Sequence, residues 1–244
     1  MKYFGSLLLI LCLSTSTFSQ GMAFGFKGGP SIGFQKWNTG SQRDALFAYH
    51  GIAFIESLAE QDEFAIFAQA GYHVKGGAVR YNRFTFLDNS NNLRTVDGRT
   101  DRYEFRNLSL TVGGKQKFQL NELSYYYLFG FRGEFTTSTN LDERIEGFPI
   151  AIANYFPTDD FVREINYGVT VGGGFEFKFS EFVAGIVELT VNPDFSKQYF
   201  RPTIDNVFNP FTMQLGTLPE QQLSNTTIEL SVGIRFIRKV EYID

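Results

Sequence analysis

From residue 165 to residue 178, apolar side chains alternate with small or polar ones without a break. Ile165, Tyr167, Val169, Val171, Gly173, Phe175 and Phe177 fall on one face; Asn166, Gly168, Thr170, Gly172, Gly174, Glu176 and Lys178 fall on the other. A period of two predicts a β-strand, because successive side chains point to opposite faces. Soluble strands average about 5–6 residues, and a tilted bilayer-crossing strand needs about 9–11. This run exceeds both, and its Phe-rich face is too apolar to be left in water.

Seven further stretches carry the same alternation, at 23–36, 45–56, 63–75, 105–118, 123–136, 182–192 and 226–238. Pro30 lies inside the first and predicts a bulge or local break there. The links between strands alternate in length. Short turns are expected near 57–62, 119–122 and 180–181, and long links at 76–104, 137–164 and 193–225. Short periplasmic turns and long external loops are the asymmetry of outer-membrane barrels. The predicted fold class is therefore all-β: an eight-stranded antiparallel up-and-down transmembrane β-barrel with long extracellular loops. An even strand count puts both termini on the periplasmic side. Alternation at 77–86 and 99–105 predicts that the third and fourth strands extend beyond the membrane, with a polar tip at 88–92. The last long loop, with Phe195, Tyr199, Phe200, Pro202, Phe208, Pro210 and Phe211, is expected to fold over the barrel mouth.

The period assigns the faces. Phe129, Phe131, Val169, Val171, Phe175, Val187, Leu230, Val232 and Ile234 are expected toward lipid. The opposite face collects Lys27, Glu56, His73, Lys75, Lys115, Lys117, Arg132, Glu134, Glu176, Lys178, Glu188, Glu229 and Arg235. An eight-stranded barrel is just wide enough for side chains to fill it, and buried charges need partners. The expectation is a lumen plugged by ion pairs, with a narrow conduit or small-ligand cavity as the competing reading.

The N-terminus reads as a leader. Lys2, the apolar run 7–13 and the small residues 14–19 fit a signal peptide cut after Ser19. Residues 1–19 are then the signal peptide and 20–244 a single barrel domain. Cys12 would leave with the leader, and Leu11 before it does not suit a lipoprotein signal. No later stretch approaches a spanning helix. The chain holds 28 Phe and 12 Tyr against one Trp, with 24 Gly, which favours packed β-structure. A net charge of −4 gives no reason to expect nucleic acid as a partner.

Chemistry-bearing constellations are sparse. His50 and His73 are the two histidines. A hydrolase would need a nucleophile, a base and an orienting acid in mutual reach, with His73 near Glu134 or Ser109, or His50 near Glu56. A polar interior role is the simpler expectation. No spacing supports a metal site. The Asx-rich run 88–97 lacks EF-hand spacing, and Gly172–Gly174 precedes no helix, so it is no phosphate loop. No catalytic, metal or cofactor site is expected.

Several segments together resemble the PorT-like outer-membrane β-barrel proteins of Bacteroidota. They are Phe24-Gly25-Phe26-Lys27-Gly28-Gly29-Pro30-Ser31, the Ser19-Gln20 junction, residues 168–179 with Ser180-Glu181-Phe182 and the strand carrying Glu188, and Glu229-Leu230-Ser231-Val232-Gly233-Ile234-Arg235-Phe236. The resemblance spans the mature barrel, except that this chain continues past Phe236. It implies an outer-membrane location and, from the family's founding member, a link to type IX secretion. The main expectation is a monomeric, non-enzymatic barrel. Its partners would be outer-membrane lipid and other secretion or cell-envelope proteins, met through external loops or periplasmic turns. The alternatives are an outer-membrane enzyme acting on lipid or peptide at the rim, and a soluble periplasmic ligand-binding barrel.

Overall fold

The computed structural model describes residues 21–38, 43–57, 63–87, 92–120, 123–209 and 212–239. The expected leader at 1–19, Cys12, most of the 57–62 turn, Pro210 and Phe211 lie outside these residues. Among the described residues there are thirteen strands: β1 (Gly21–Trp37), β2 (Arg43–Ser57), β3 (Phe64–Tyr81), β4 (Phe84–Leu87), β5 (Leu93–Val96), β6 (Arg99–Leu120), β7 (Leu123–Thr139), β8 (Ile165–Lys178), β9 (Val183–Pro193), β10 (Tyr199–Arg201), β11 (Ile204–Asn209), β12 (Gln214–Leu218) and β13 (Gln221–Lys239). Eight of them form a closed antiparallel ring in the order β1-β2-β3-β6-β7-β8-β9-β13, with β13 pairing back onto β1. Closure leaves no free edge, and every lipid-level backbone group can pair with a neighbour.

The outer wall is apolar. Phe24, Phe26, Phe47, Ile66, Leu108, Leu110, Val112, Phe129, Phe131, Val171, Leu230, Val232 and Ile234 all present exposed side chains there. From Leu108 to Phe118, β6 climbs roughly 33 Å along its own axis, or about 25 Å along the barrel normal at a tilt of about 40°. That height matches the apolar band of a membrane barrel. Rings gather at the short-turn end, where Phe24 stacks on Phe236 at 5.6 Å and Phe118 on Tyr125 at 5.0 Å. The protein is an eight-stranded transmembrane β-barrel.

Pro30 makes no bulge. It pairs opposite Tyr49 on β2 in unbroken register. On its other side the β1–β13 ladder skips residues 29 and 30 and resumes without a shift. The ring nitrogen costs the ladder a donor, but the register on either side holds the strand straight. The irregularity falls instead on the next pair, where the β2–β3 register shifts between Ala45 and His50. There the wall closes in on itself. A Cβ on Gly33 would lie 2.6 Å from the Gly76 carbonyl oxygen, so only glycine allows β3 to approach β1 this closely.

Beyond the belt, β3 and β6 stay paired from Lys75–Phe105 to Tyr81–Arg99. β4 and β5 then form a separate hairpin. Its ring Phe86 packs with Ile152 and Phe156 from the 140–164 link, which contains a short helix α1 (Ile150–Ala153). A second apolar cluster of Trp37, Val79, Tyr103, Phe105, Leu141, Tyr199 and Leu223 lies beneath it, over the lumen. The last long link divides. Its first part, with Tyr199, folds over the mouth, while β11 and β12 form a hairpin that leaves Phe208 and Leu215 exposed. At the far end, β13 continues past Phe236, and Lys239 pairs with Gly21.

Candidate functional site

The lumen is filled in layers. Nearest the short turns, the Glu56 carboxylate accepts hydrogen bonds from the Lys115 and Lys117 ammonium groups, both at 2.7 Å, and pairs with Arg235. Glu176 faces the same three cations at 3.3–3.4 Å. Five residues from four strands thus form one buried cluster. Above it, Lys27 donates to Glu188 at 2.5 Å and the Tyr126 hydroxyl donates to the same carboxylate at 2.8 Å.

Apolar side chains are interleaved with these charges. Phe54, Phe67, Tyr126, Leu128 and Ile186 pack together in the lumen, with Phe67 paired opposite Glu56, Leu128 opposite Lys115, Tyr126 opposite Lys117 and Ile186 opposite Glu176. The void left between Lys27, Phe54, Glu56, Phe67, Lys115 and Glu188 is about 10 Å³, room for about one water. The Lys115 ammonium sits 4.2 Å from the Tyr126 ring centre, so the ring face helps to satisfy a cation that no bulk water reaches.

The histidines occupy the middle. His50 and His73 stack at 5.8 Å with their planes 10° apart. His50 Nε2 shares a hydrogen bond with Ser231 at 2.7 Å, and His73 Nδ1 pairs with Glu229 at 2.7 Å. The expected partners Glu56, Glu134 and Ser109 are not the ones they meet. β13 supplies both, because its inward residues 229 and 231 lie level with residues 50 and 73. All four groups are buried, so the set is a structural bridge across the lumen. Among the described residues no group of three or more His, Cys, Asp or Glu side chains could hold a metal.

Toward the loops, Lys75 donates to Glu134 at 2.6 Å and to Asp194 at 3.0 Å. Arg132 donates to Asp194 at 2.6 Å and lies 2.9 Å from Glu134. Above this quartet the chain leaving β9 dips into the mouth. Ser196 donates to Asn166 at 3.2 Å, and Gln198 donates to Asn107 at 3.1 Å and to Thr136 at 3.2 Å. Main-chain bonds hold this segment between β8 and β13: Phe195 donates to Tyr167 at 3.0 Å and Gln198 to Leu223 at 2.9 Å.

The sequence therefore missed Asp194, Ser196 and Gln198. Their signal was present, since Asn192, Asp194, Ser196 and Gln198 continue the inward alternation of β9, but Pro193 reads as the end of a strand. The apolar side chains of the lumen were missed because Tyr126 and Leu128 alternate with Tyr125, Tyr127 and Phe129, so both faces of β7 read as apolar. Lys27, Glu56, His73, Lys115, Lys117, Arg132, Glu134, Glu176, Glu188, Glu229 and Arg235 all lie in the lumen.

Two expected positions are corrected. Lys178 is exposed: it is the last residue of β8, one inward position beyond Glu176 of the buried cluster. Val169 is on the outward face but only 8 % exposed. It lies between its β7 partner Phe131 and Pro193, which the continued β8–β9 register places opposite it. The other assigned lipid-side residues, Phe129, Phe131, Val171, Phe175, Val187, Leu230, Val232 and Ile234, are exposed on the outer wall.

No family model matches the chain, and no curated protein matches it. Among solved structures it is similar to the N-terminal β-barrel domain of Pseudomonas aeruginosa OprF, at 11 % identity and a TM-score of 0.40, covering 89 % of this chain and 98 % of that one. It is similar to Neisserial surface protein A at 9 % identity and a TM-score of 0.41, covering 88 % and 97 %. It is also similar to the outer membrane protease OmpT of Escherichia coli at 9 % identity and a TM-score of 0.46, covering 91 % and 99 %.

Proposed function

We propose that this chain is an integral outer-membrane protein with a non-catalytic, accessory role in the cell envelope. The supporting observation is the filled lumen. Ion pairs, apolar side chains and the 194–198 plug occupy it from turn end to loop end among the described residues, which leaves a void of about 10 Å³ between Lys27, Phe54, Glu56 and Lys115 and argues against a conduit or a substrate chamber. What remains available to a partner is the outside: the loop cap, the short turns and the lipid-facing wall. The resemblance of the first strand, the 168–188 hairpin and the closing strand to PorT-like barrels points that role toward type IX protein secretion.

Cell fractionation combined with heat-modifiable gel migration tests the location. A compact band in the outer-membrane fraction that shifts on boiling is expected. A soluble periplasmic protein with no shift would overturn the reading. Deleting the gene tests the role: cargo of the secretion system should be retained in the cell, and normal export would remove secretion from the proposal.

A further inference from the structure

The lipid-facing wall has a dent. Where β1, β2, β3 and β6 run side by side, the outward positions shrink to Gly51, Ala53 and Ala70. A groove of about 610 Å³ opens there, walled by Phe26, Tyr72 and Leu108. The neighbouring outward positions are large and exposed, Phe47 and Tyr49 among them. Packing does not require the dent: a Cβ added at Gly51 would meet nothing within 4 Å. The missing side chain shapes the outer surface without relieving any crowding.

The groove ends at a recognisable level. Tyr49 and Tyr72 lie with their ring centres 6.4 Å apart at its loop-side end, and tyrosines mark the membrane–water boundary. On β6, the next outward residue above Leu108 is Arg106, roughly 7 Å further along the strand. Its nearest carboxylate, Glu104, is 3.9 Å away, too long for a paired hydrogen bond. Arg102, one outward step beyond Glu104, is exposed. An apolar trough thus runs in the membrane, and the strand that supplies Leu108 to its wall carries an arginine at the next outward position above.

We propose that this groove binds an anionic, phosphate-bearing membrane lipid, with an acyl chain along Gly51, Ala53 and Ala70 and the phosphate on Arg106. Guanidinium suits a phosphate better than any other side chain because its fork donates two parallel hydrogen bonds. Arg102 adds a second cation above, and Glu104 between the two arginines moderates the charge of the patch. The inference rests on the reading of this wall as lipid-facing.

Native mass spectrometry of the detergent-purified full mature chain tests it, with dioleoyl phosphatidylglycerol titrated against dioleoyl phosphatidylcholine. Heat-modifiable migration is scored on every sample. The wild type should retain one phosphatidylglycerol, and R106Q should weaken that retention about tenfold. Gly51→Leu should fill the groove and weaken retention of either lipid while the barrel still shifts on boiling. Equal retention of the two lipids by wild type, or wild-type retention by R106Q, would overturn the site and leave the barrel reading intact. A wild-type protein that shows no shift on boiling would overturn the barrel reading, and the site with it.

Discussion

The two ends of the lumen are closed by the same chemistry built in two ways. At the short-turn end, Glu56, Lys115, Lys117, Glu176 and Arg235 all sit within barrel strands. At the loop end, Lys75, Arg132 and Glu134 are strand residues joined through Glu134, and the second carboxylate, Asp194, follows β9. The first cluster is fixed by the ring of strand pairings. The second also depends on where a connecting segment enters the mouth. A seal built into strands lasts as long as the barrel does, whereas one that borrows a loop residue can be loosened locally.

Breaking the strand-built cluster should have the largest effect. Glu56→Ala leaves Lys115, Lys117 and Arg235 sharing Glu176 alone, and removing one partner of a buried pair costs about 3–5 kcal/mol. Urea unfolding of the purified barrel in micelles, followed by loss of the compact gel band, should register that cost. Val171→Arg places a charge on the lipid side and should cost roughly 2–4 kcal/mol at mid-bilayer, read as a reduced assembled fraction in vesicles. Unimpaired assembly would reverse the assignment of the faces.

Asp194→Ala should cost less, about 1.5–3 kcal/mol, because Glu134 still faces both Lys75 and Arg132. It should also free the 194–198 segment, seen as faster proteolysis there while the barrel band persists. A loss as large as that of Glu56→Ala would erase the distinction between the two ends.

The smallest effect concerns the cap. Burial pushes the Asp159 carboxyl above its usual value, with Asp142, Asp160 and Glu143 adding to the shift and a hydrogen bond from Thr139 opposing it. A raised carboxyl pKa means that the folded cap holds this proton more tightly than the unfolded chain does. The stabilisation is fully present below about pH 4 and is lost as pH rises through the folded value. Hydrogen-exchange protection of residues 139–162, corrected for intrinsic rates, should fall modestly from acid to neutral pH. Protection that rises instead would reverse the sign.

The barrel was legible in the sequence because one physical rule generates it. Strand alternation set by lipid on one side and a polar lumen on the other is a period-two signal, and β8 is found at the residues that this period marks. Lys178 was misplaced because the period gives a direction but not a depth: a residue can point inward and still lie beyond the last occupied layer. Val169 is on the expected face, but the period gives no exposure: its neighbours across the ladder, Phe131 and Pro193, decide that. Pro30 was over-read because an isolated proline signals a lost donor, while the unbroken pairing on either side decides whether the strand bends. The plug and the cap were the least legible. Asp194 and Gln198 take their roles from neighbours far away in sequence, and the cluster around Phe86 and Phe156 joins two long links that carry no shared period.

Ion pairs, packed rings and the 194–198 segment together should seal the lumen of this membrane barrel along its length. Ion current across a planar lipid bilayer holding the refolded wild-type protein tests that seal most directly. A baseline with no discrete conductance steps under moderate voltage is expected. Stable, voltage-independent steps from the wild-type chain would show an open path past Glu56, Phe54 and Asp194, and would contradict it.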